Sequence, residues 1–360
     1  MTIAIIGLFL LLILFGILFS LSKGNPIPFT DENGLPLSGS ISEKIFIDIN
    51  GVKQGMFIKS KDETNPVLLF LHGGPGMPEY FLTQKYPTGL EENFTVVWWE
   101  QRGAGLSFSP DIPSVTMTID QLVADTLEVS NYLRNRFGKE KIYLMGHSGG
   151  SFIGILAAHQ APELFYAYIG VAQMSYQLTS ENLAYTYMLA EYKKLGNNKM
   201  VEKLEKAPPG LVSPLPDAYL MLRDDAMHRL GIGTTMEMKS VISGIFIPSL
   251  LNKEYTLKEK LNIWRGKPYS AGHLRNEMFS IDLIQKVQRL ELPVYFLHGK
   301  YDYTCSYEMA RDYLDTIQAP VKGFYTFGNS AHSPLFEEPE RMMKTLLDDV
   351  LGGSNTLVDR

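Results

Sequence analysis

The sequence predicts an α/β protein: a mostly parallel sheet covered by helices on both faces, interrupted by one helical insertion. Three observations carry that expectation. Short, continuously apolar runs, VLLFLHGG (67–74), FTVVWWE (94–100), KIYLMGHS (141–148) and YAYIGVAQM (166–174), alternate with helical stretches near 119–137 and 150–161. Strands that are apolar throughout are buried on both faces, as in a parallel sheet. The alternation returns with PVYFLHGKYD (293–302), a helix near 306–317, GFYTFGN (323–329) and a final helix over about 336–351. Between about 176 and 290 the periodicity is helical, broken at Pro208-Pro209-Gly210 and Gly231-Ile232-Gly233, so this stretch reads as a cap inserted over the sheet.

The elements before the first of these strands follow other rules. ISEKIFIDINGVKQGMFIKS reads as two alternating strands joined at Asn50-Gly51, a dipeptide suited to a type I′ turn, so an antiparallel hairpin opens the fold. Residues 3–22 form an uncharged and almost wholly apolar run, long enough to span a bilayer as a helix. No Lys or Arg precedes it, and it exceeds the apolar core of a signal peptide. An uncleaved single-pass membrane anchor over 1–24 with an extracytoplasmic body is therefore expected, a segment cleaved near Ser20-Leu21-Ser22 being the alternative. The remaining expected units are 25–175 and 291–360, two parts of one core, and the cap at 176–290.

Composition narrows the function. The chain has 360 residues, 45% hydrophobic and 20% charged, with a net charge of −6, so no excess of cations is available to neutralise a nucleic acid. One cysteine, Cys305, excludes an intramolecular disulfide and any multi-thiolate zinc site. His-Glu-x-x-His, P-loop and dinucleotide fingerprints are absent, and neither metal nor cofactor is expected.

Gly146-His147-Ser148-Gly149-Gly150 lies directly between an apolar strand and a helical stretch, the context a nucleophile elbow requires. A glycine-rich connection with an incidental serine would read the same in isolation. A serine needs a base, and the base needs an acid to fix its tautomer. Of seven histidines only His332 lies beyond the late strand PVYFLHGKYD, in a polar loop before the last helix. Asp302 stands at the carboxyl end of that strand, where open α/β sheets place ligand-contacting residues. His72-Gly73-Gly74-Pro75-Gly76 offers a loop whose N–H groups can meet an oxyanion, with Gly74 and Gly149 as the candidates. His72 precedes the nucleophile and is assigned to fixing that loop rather than to acting as a base.

Together, His72 to Gly76, Trp99-Glu100-Gln101-Arg102-Gly103-Ala104-Gly105-Leu106-Ser107, Gly146 to Gly150, Asp302 and His332 resemble the α/β-hydrolase superfamily. More closely they resemble its proline iminopeptidase (prolyl aminopeptidase) branch, which carries HGGPG, DQRG-x-G-x-S and Gly-x-Ser-x-Gly in this order. The resemblance covers about residues 40–175 and 290–350. It implies Ser148 as nucleophile, His332 as general acid/base, Asp302 as its orienter and a helical cap that closes over the substrate. Glu100 replaces the Asp of the second motif, Gly149 follows the serine where an aromatic residue is familiar, and the branch's Trp-x-x-Trp-Glu cap pattern is missing. Glu181, Glu191 and Glu277 are left as candidates to hold a substrate amine. The expected activity is aminopeptidase-like hydrolysis of small peptides or amides through an acyl-enzyme. A carboxylesterase or lipase and a non-catalytic binding protein are the alternatives.

Overall fold

The computed structural model describes residues 13, 16 and 18–359. Strand β1 (Ile41–Ile49) turns at Asn50 and Gly51, whose φ values of 47° and 73° are those a type I′ turn demands, into β2 (Val52–Ser60). There follow β3 (Val67–Leu71), β4 (Thr95–Trp99), helix α1 (Ile119–Phe137), β5 (Ile142–His147), α2 (Gly149–Gln160) and β6 (Phe165–Val171). Late in the chain, after six intervening helices, come β7 (Val294–Gly299), α9 (Tyr307–Thr316) and β8 (Lys322–Phe327). The sheet order is β1-β2-β4-β3-β5-β6-β7-β8, with β2 antiparallel to both neighbours and every other pairing parallel.

Alternation along the central strands divides the core. Leu69 and Leu71 of β3 join the cluster that α1, α2 and α9 cover, whereas Leu68 and Phe70 join the cluster on the opposite face, with Met342, Leu346 and Val350 from the C-terminal helices. Trp98 and Trp99 are split between the two faces in the same way. The expected final helix over 336–351 is instead α10 (Pro334–Glu337), α11 (Pro339–Thr345) and a wider turn over Leu346–Val350. Pro339 has no N–H and opens a helix instead of continuing one.

Helices α3 (Gln177–Lys194), α4 (Asn198–Glu205), α5 (Asp217–Leu230), α6 (Ile247–Leu251), α7 (Leu257–Ser280) and α8 (Leu283–Lys286) fill the interval between β6 and β7. Three of them, α3 to α5, bury a core of their own around Met188, Tyr192, Leu204 and Tyr219. The lysines of α3 and α4 are solvated and pair with local acids, as in Lys193–Glu205 at 2.9 Å. A Thr256–Glu259 capping box starts α7, which then crosses the loop that follows β4. Ser270 Oγ donates to Gly103 O at 3.0 Å, and a Cβ at Gly266 would come within 2.6 Å of the same carbonyl.

Among the described residues no helix is long and apolar enough to cross a membrane. This corrects the membrane anchor and the extracytoplasmic body expected from residues 3–22. Length and hydropathy alone suggested a span there, and most of that run lies outside the described residues.

The opening hairpin is locked to the core by one buried ion pair. Arg102 Nε and Nη2 reach Asp125 Oδ2 and Oδ1 at 2.7 and 2.9 Å, and Nη2 also donates to the carbonyls of Ile49 and Asn50 at the hairpin turn. Asp125 takes further bonds from Asn50, Gln54 and Gln121. Removing one partner of a buried pair strands the other charge. Asp125→Ala is therefore expected to lose about 3–5 kcal/mol of stability, read as a lowered urea midpoint; a loss below about 1 kcal/mol would show that water takes over the guanidinium.

Candidate active site

Ser148 stands between β5 and α2 with φ 54° and ψ −122°, a conformation that costs a non-glycine residue on the order of 1–3 kcal/mol. Its surroundings impose that geometry. A side chain at Gly150 would overlap the carbonyl of Leu71, and one at Gly146 would overlap Gly150. Only glycine at both positions lets the helix begin immediately behind the sheet. The turn is held by Ser148 N–H donating to Val171 O at 3.0 Å, and by Ser151, whose hydroxyl donates to Ser148 O at 2.6 Å and accepts from Met174 N–H at 2.9 Å.

The other two candidates are joined to each other. His332 Nδ1 donates to Asp302 Oδ2 at 2.9 Å. That carboxylate is saturated: Oδ1 accepts from the N–H groups of Thr304 and Cys305 at 2.8 and 3.0 Å, and Oδ2 also lies 3.1 Å from His298 Nε2. Burial works against the charge, but the two histidines and these bonds outweigh it and hold Asp302 well below the usual carboxylate range. His332 itself is lowered, chiefly by burial, with Asp302 opposing. Its Nε2 is unbonded among the described residues. Ser148 and His332 line one cavity of about 250 Å³, floored by the sheet and walled by α3, α5 and α7. Cys305 Sγ lies 4.0 Å from Ser148 Oγ, and burial raises its thiol.

The loop after β3 meets the elbow backbone to backbone. A Cβ on Gly149 would stand 2.9 Å from Gly74 O. Neither Gly74 N–H nor Gly149 N–H has a hydrogen-bond partner among the described residues. His72 fixes this loop as its position suggested, Nδ1 donating to Gly73 O at 2.8 Å and Nε2 accepting from Gln101 N–H at 3.1 Å.

Two residues that motif reading passed over tie these parts together. Glu79 Oε1 accepts from Gly73 N–H at 2.7 Å, and Oε2 lies 2.8 Å from His147 Nδ1; His147 Nε2 lies 2.8 Å from His332 O. Both ring nitrogens of His147 face acceptors, so both carry protons and the ring is an imidazolium. Burial opposes that charge, but Glu79 raises His147, and His147 in turn lowers Glu79. Glu79 carried no sequence signal beyond standing seven residues after His72, and His147 was read only as an elbow residue.

Of the three glutamates named for an amine, Glu181 alone lines the cavity, and it is already engaged. Its carboxylate accepts from Arg223 Nε at 2.5 Å, Tyr219 Oη at 2.8 Å and Gln177 Nε2 at 2.8 Å. Glu191 pairs with Lys194 on the surface, and Glu277 accepts from Ile119 N–H, both away from the cavity. Glu100, the departure in the second motif, accepts from Leu106 N–H at 2.5 Å and from the Tyr255 hydroxyl, and burial pushes it up to about 8. No group of three His, Cys, Asp or Glu side chains among the described residues is placed to hold a metal ion.

A family model described as the alpha/beta hydrolase fold matches residues 66–339, three quarters of the chain. The chain belongs to the alpha/beta hydrolase family. Among curated relatives of this hydrolase, a probable aminopeptidase of Bacillus subtilis is 33% identical over 314 residues, covering 87% of this chain and 97% of its own. A proline iminopeptidase of Saccharolobus solfataricus is 25% identical over 79% of this chain and 84% of its own. Both place the hydrolase in the aminopeptidase-like branch. Among solved structures, the proline iminopeptidase of Mycobacterium smegmatis shares the fold at a TM-score of 0.61 and 16% identity, over 86% of this chain and 98% of that one.

The Glu79–His147 pair sets a pH window. Glu79 is depressed from 4.5, so its contribution is present above that value and is lost as pH falls through the lowered folded value. His147 is raised from 6.5, so its contribution is complete below that value and is lost as pH rises through the raised folded value. The Tm difference between wild type and Glu79→Gln should be largest between these two values, 4.5 and 6.5, and shrink on both sides. A difference independent of pH would mean that the two side chains do not share a charge.

Proposed function

We propose that this hydrolase is a serine enzyme that cleaves small peptides or amides from their amino end through an acyl-enzyme, with Ser148, His332 and Asp302 as its triad. The observation that carries this reading is the His332–Asp302 hydrogen bond of 2.9 Å beside a cavity that both His332 and a strained Ser148 line. His332 Nε2 takes the Ser148 proton as Oγ attacks the carbonyl, and Asp302 stabilises the imidazolium that forms. The N–H groups of Gly74 and Gly149, otherwise unengaged, receive the oxyanion. His332 then protonates the leaving amine, and water, deprotonated by the same ring, releases the acyl group. The backbone of His332 is steadied throughout by the His147 imidazolium.

The aminopeptidase and proline iminopeptidase names of the relatives support an amino-terminal preference. A cavity of about 250 Å³ suits a small substrate, not a folded chain or a long lipid. Residues 176–290 act as a cap that completes the pocket, since α3, α5 and α7 supply much of its wall. One observation favours a second reading: Glu181 is fully engaged, so no free carboxylate waits for an amine, as a carboxylesterase for small esters would have it.

Aminoacyl arylamides, proline included, run beside short-chain esters separate the two readings; turnover of esters alone would remove the peptidase. Ser148→Ala is expected to lower kcat by about ten-thousandfold or more with the fold intact, and His332→Ala by a similar factor, because triad members act as a unit. A fluorophosphonate should label wild type and not Ser148→Ala. The pH profile of kcat/KM follows from His332: it is inactive as a base when protonated, and burial holds it below 6.5. The rate should therefore fall on acidification only below 6.5 and be level just above it; a limb centred at 8 would point to another base.

A further inference from the structure

The charges that line the cavity fall into two sets when each is followed to its partner. Every acid is committed. Glu79 is bonded to His147 at 2.8 Å, Glu181 to Arg223 at 2.5 Å, and Asp224 to the same guanidinium at 2.9 Å. Two cations are not. Lys267 and Arg275 line the cavity from α7, and among the described residues neither has a carboxylate within ion-pair distance. The Lys267 ammonium rests 5.8 Å from the Trp264 ring centroid, and the acid that it acts on, Asp224, is already held by Arg223. Arg275 makes no hydrogen bond among the described residues.

The lining thus sets three carboxylates against Arg223, Lys267, Arg275 and the His147 imidazolium, and Asp302, buried behind His332, balances the fourth cation; what distinguishes this wall is the two cations without an acid partner of their own. Its spacing is also informative. Lys267, Ala271 and Arg275 are at i, i+4 and i+8 on one face of α7, about 12 Å from end to end. The small residue between the two long side chains leaves room for a ligand group that both can reach. An orphaned hydroxyl adds a donor: Ser333 Oγ is buried, has no hydrogen-bond partner among the described residues, and lines the same cavity.

We propose that Lys267 and Arg275 form a carboxylate site, so that the substrates are short peptides held by their free C-terminal carboxylate with the scissile carbonyl at Ser148. The proposal rests on the peptidase reading above and narrows it. In a dipeptide the carboxylate belongs to the leaving amino acid, a few bonds from the departing nitrogen, which fits a cavity of this size. An ammonium, by contrast, would meet no unpaired acid and would have to displace Arg223 from Glu181.

The test compares a dipeptide with its C-terminal amide. Wild type should favour the free acid in kcat/KM by about tenfold or more, the scale of a charge-assisted hydrogen bond. Arg275→Gln and Lys267→Gln should each shrink that ratio, the double variant should bring it to within about twofold of one, and Arg275→Lys should restore part of it. Calorimetry on Ser148→Ala protein with the same two ligands reads the site without turnover and should show the same preference. Wild type that cleaves acid and amide equally well would overturn the carboxylate site and leave the peptidase standing. Ester turnover alone, with no binding of either dipeptide, would remove the peptidase and this site together. Ester turnover with the free acid still bound in preference to the amide would keep the carboxylate site and move it to an anionic ester.

Discussion

The molecule is organised by a contact that tolerates no side chain. At Gly150 the first turn of α2 presses against the carbonyl of Leu71, the last residue of β3, and at Gly146 the end of β5 passes under the same turn. Because β3 and β5 are neighbours in the sheet, this contact fixes where the helix starts, and so the height at which Ser148 leaves the strand. Leu71 also leads directly into the loop that carries Gly74. One backbone contact therefore fixes both the start of the turn that carries Ser148 and the loop that carries Gly74. The cost of the unusual Ser148 dihedrals is met by an α2 helix buried along nearly its whole length.

Around that point the chain spends its polar groups on holding backbone. Asp302 binds two N–H groups as well as two histidines, Glu79 binds Gly73 N–H as well as His147, and His147 binds a carbonyl as well as Glu79. Each charged group thus fixes a loop and a side chain together. A low-dielectric interior makes such bonds strong when complete and expensive when incomplete, so the site behaves as one unit in which orientation and charge cannot be altered separately.

Much of this was legible from residue order alone. Asn50-Gly51 announced its turn because few dipeptides accept two positive φ values, and apolar runs announced central strands because both faces are covered. Ser148, Asp302 and His332 were named from motif context and chain order; the structure bonds His332 to Asp302 and has His332 and Ser148 line one cavity, with no Ser148–His332 hydrogen bond among the described residues. What escaped were partners set by tertiary approach. Glu79 meets His147 across 68 residues and Arg223 meets Glu181 across 42, and no local pattern encodes either. Glu181 was the right type of residue for an amine, but its charge was already taken by an arginine one helix away. The helix expected over about 336–351 ran through Pro339, which lacks an N–H and opens a new helix there instead. The apolar run at 3–22 shows the limit of reading by length, since no helix among the described residues has the character needed to cross a bilayer.

The seat of α7 bears on how such enzymes exchange parts. The helix lies so close to the loop after β4 that Gly266 touches the Gly103 carbonyl, and Ser270 bonds to that same oxygen. Glu100, below it, reaches Tyr255 just before the helix. The segment between β6 and β7 is thus keyed to a loop encoded some 150 residues earlier. A recombination event, or a chimera built in the laboratory, that moved this segment into a related core would carry over the helix without its socket. New specificity in this lineage is therefore more readily gained by substitution along α7 than by wholesale replacement of the segment that contains it.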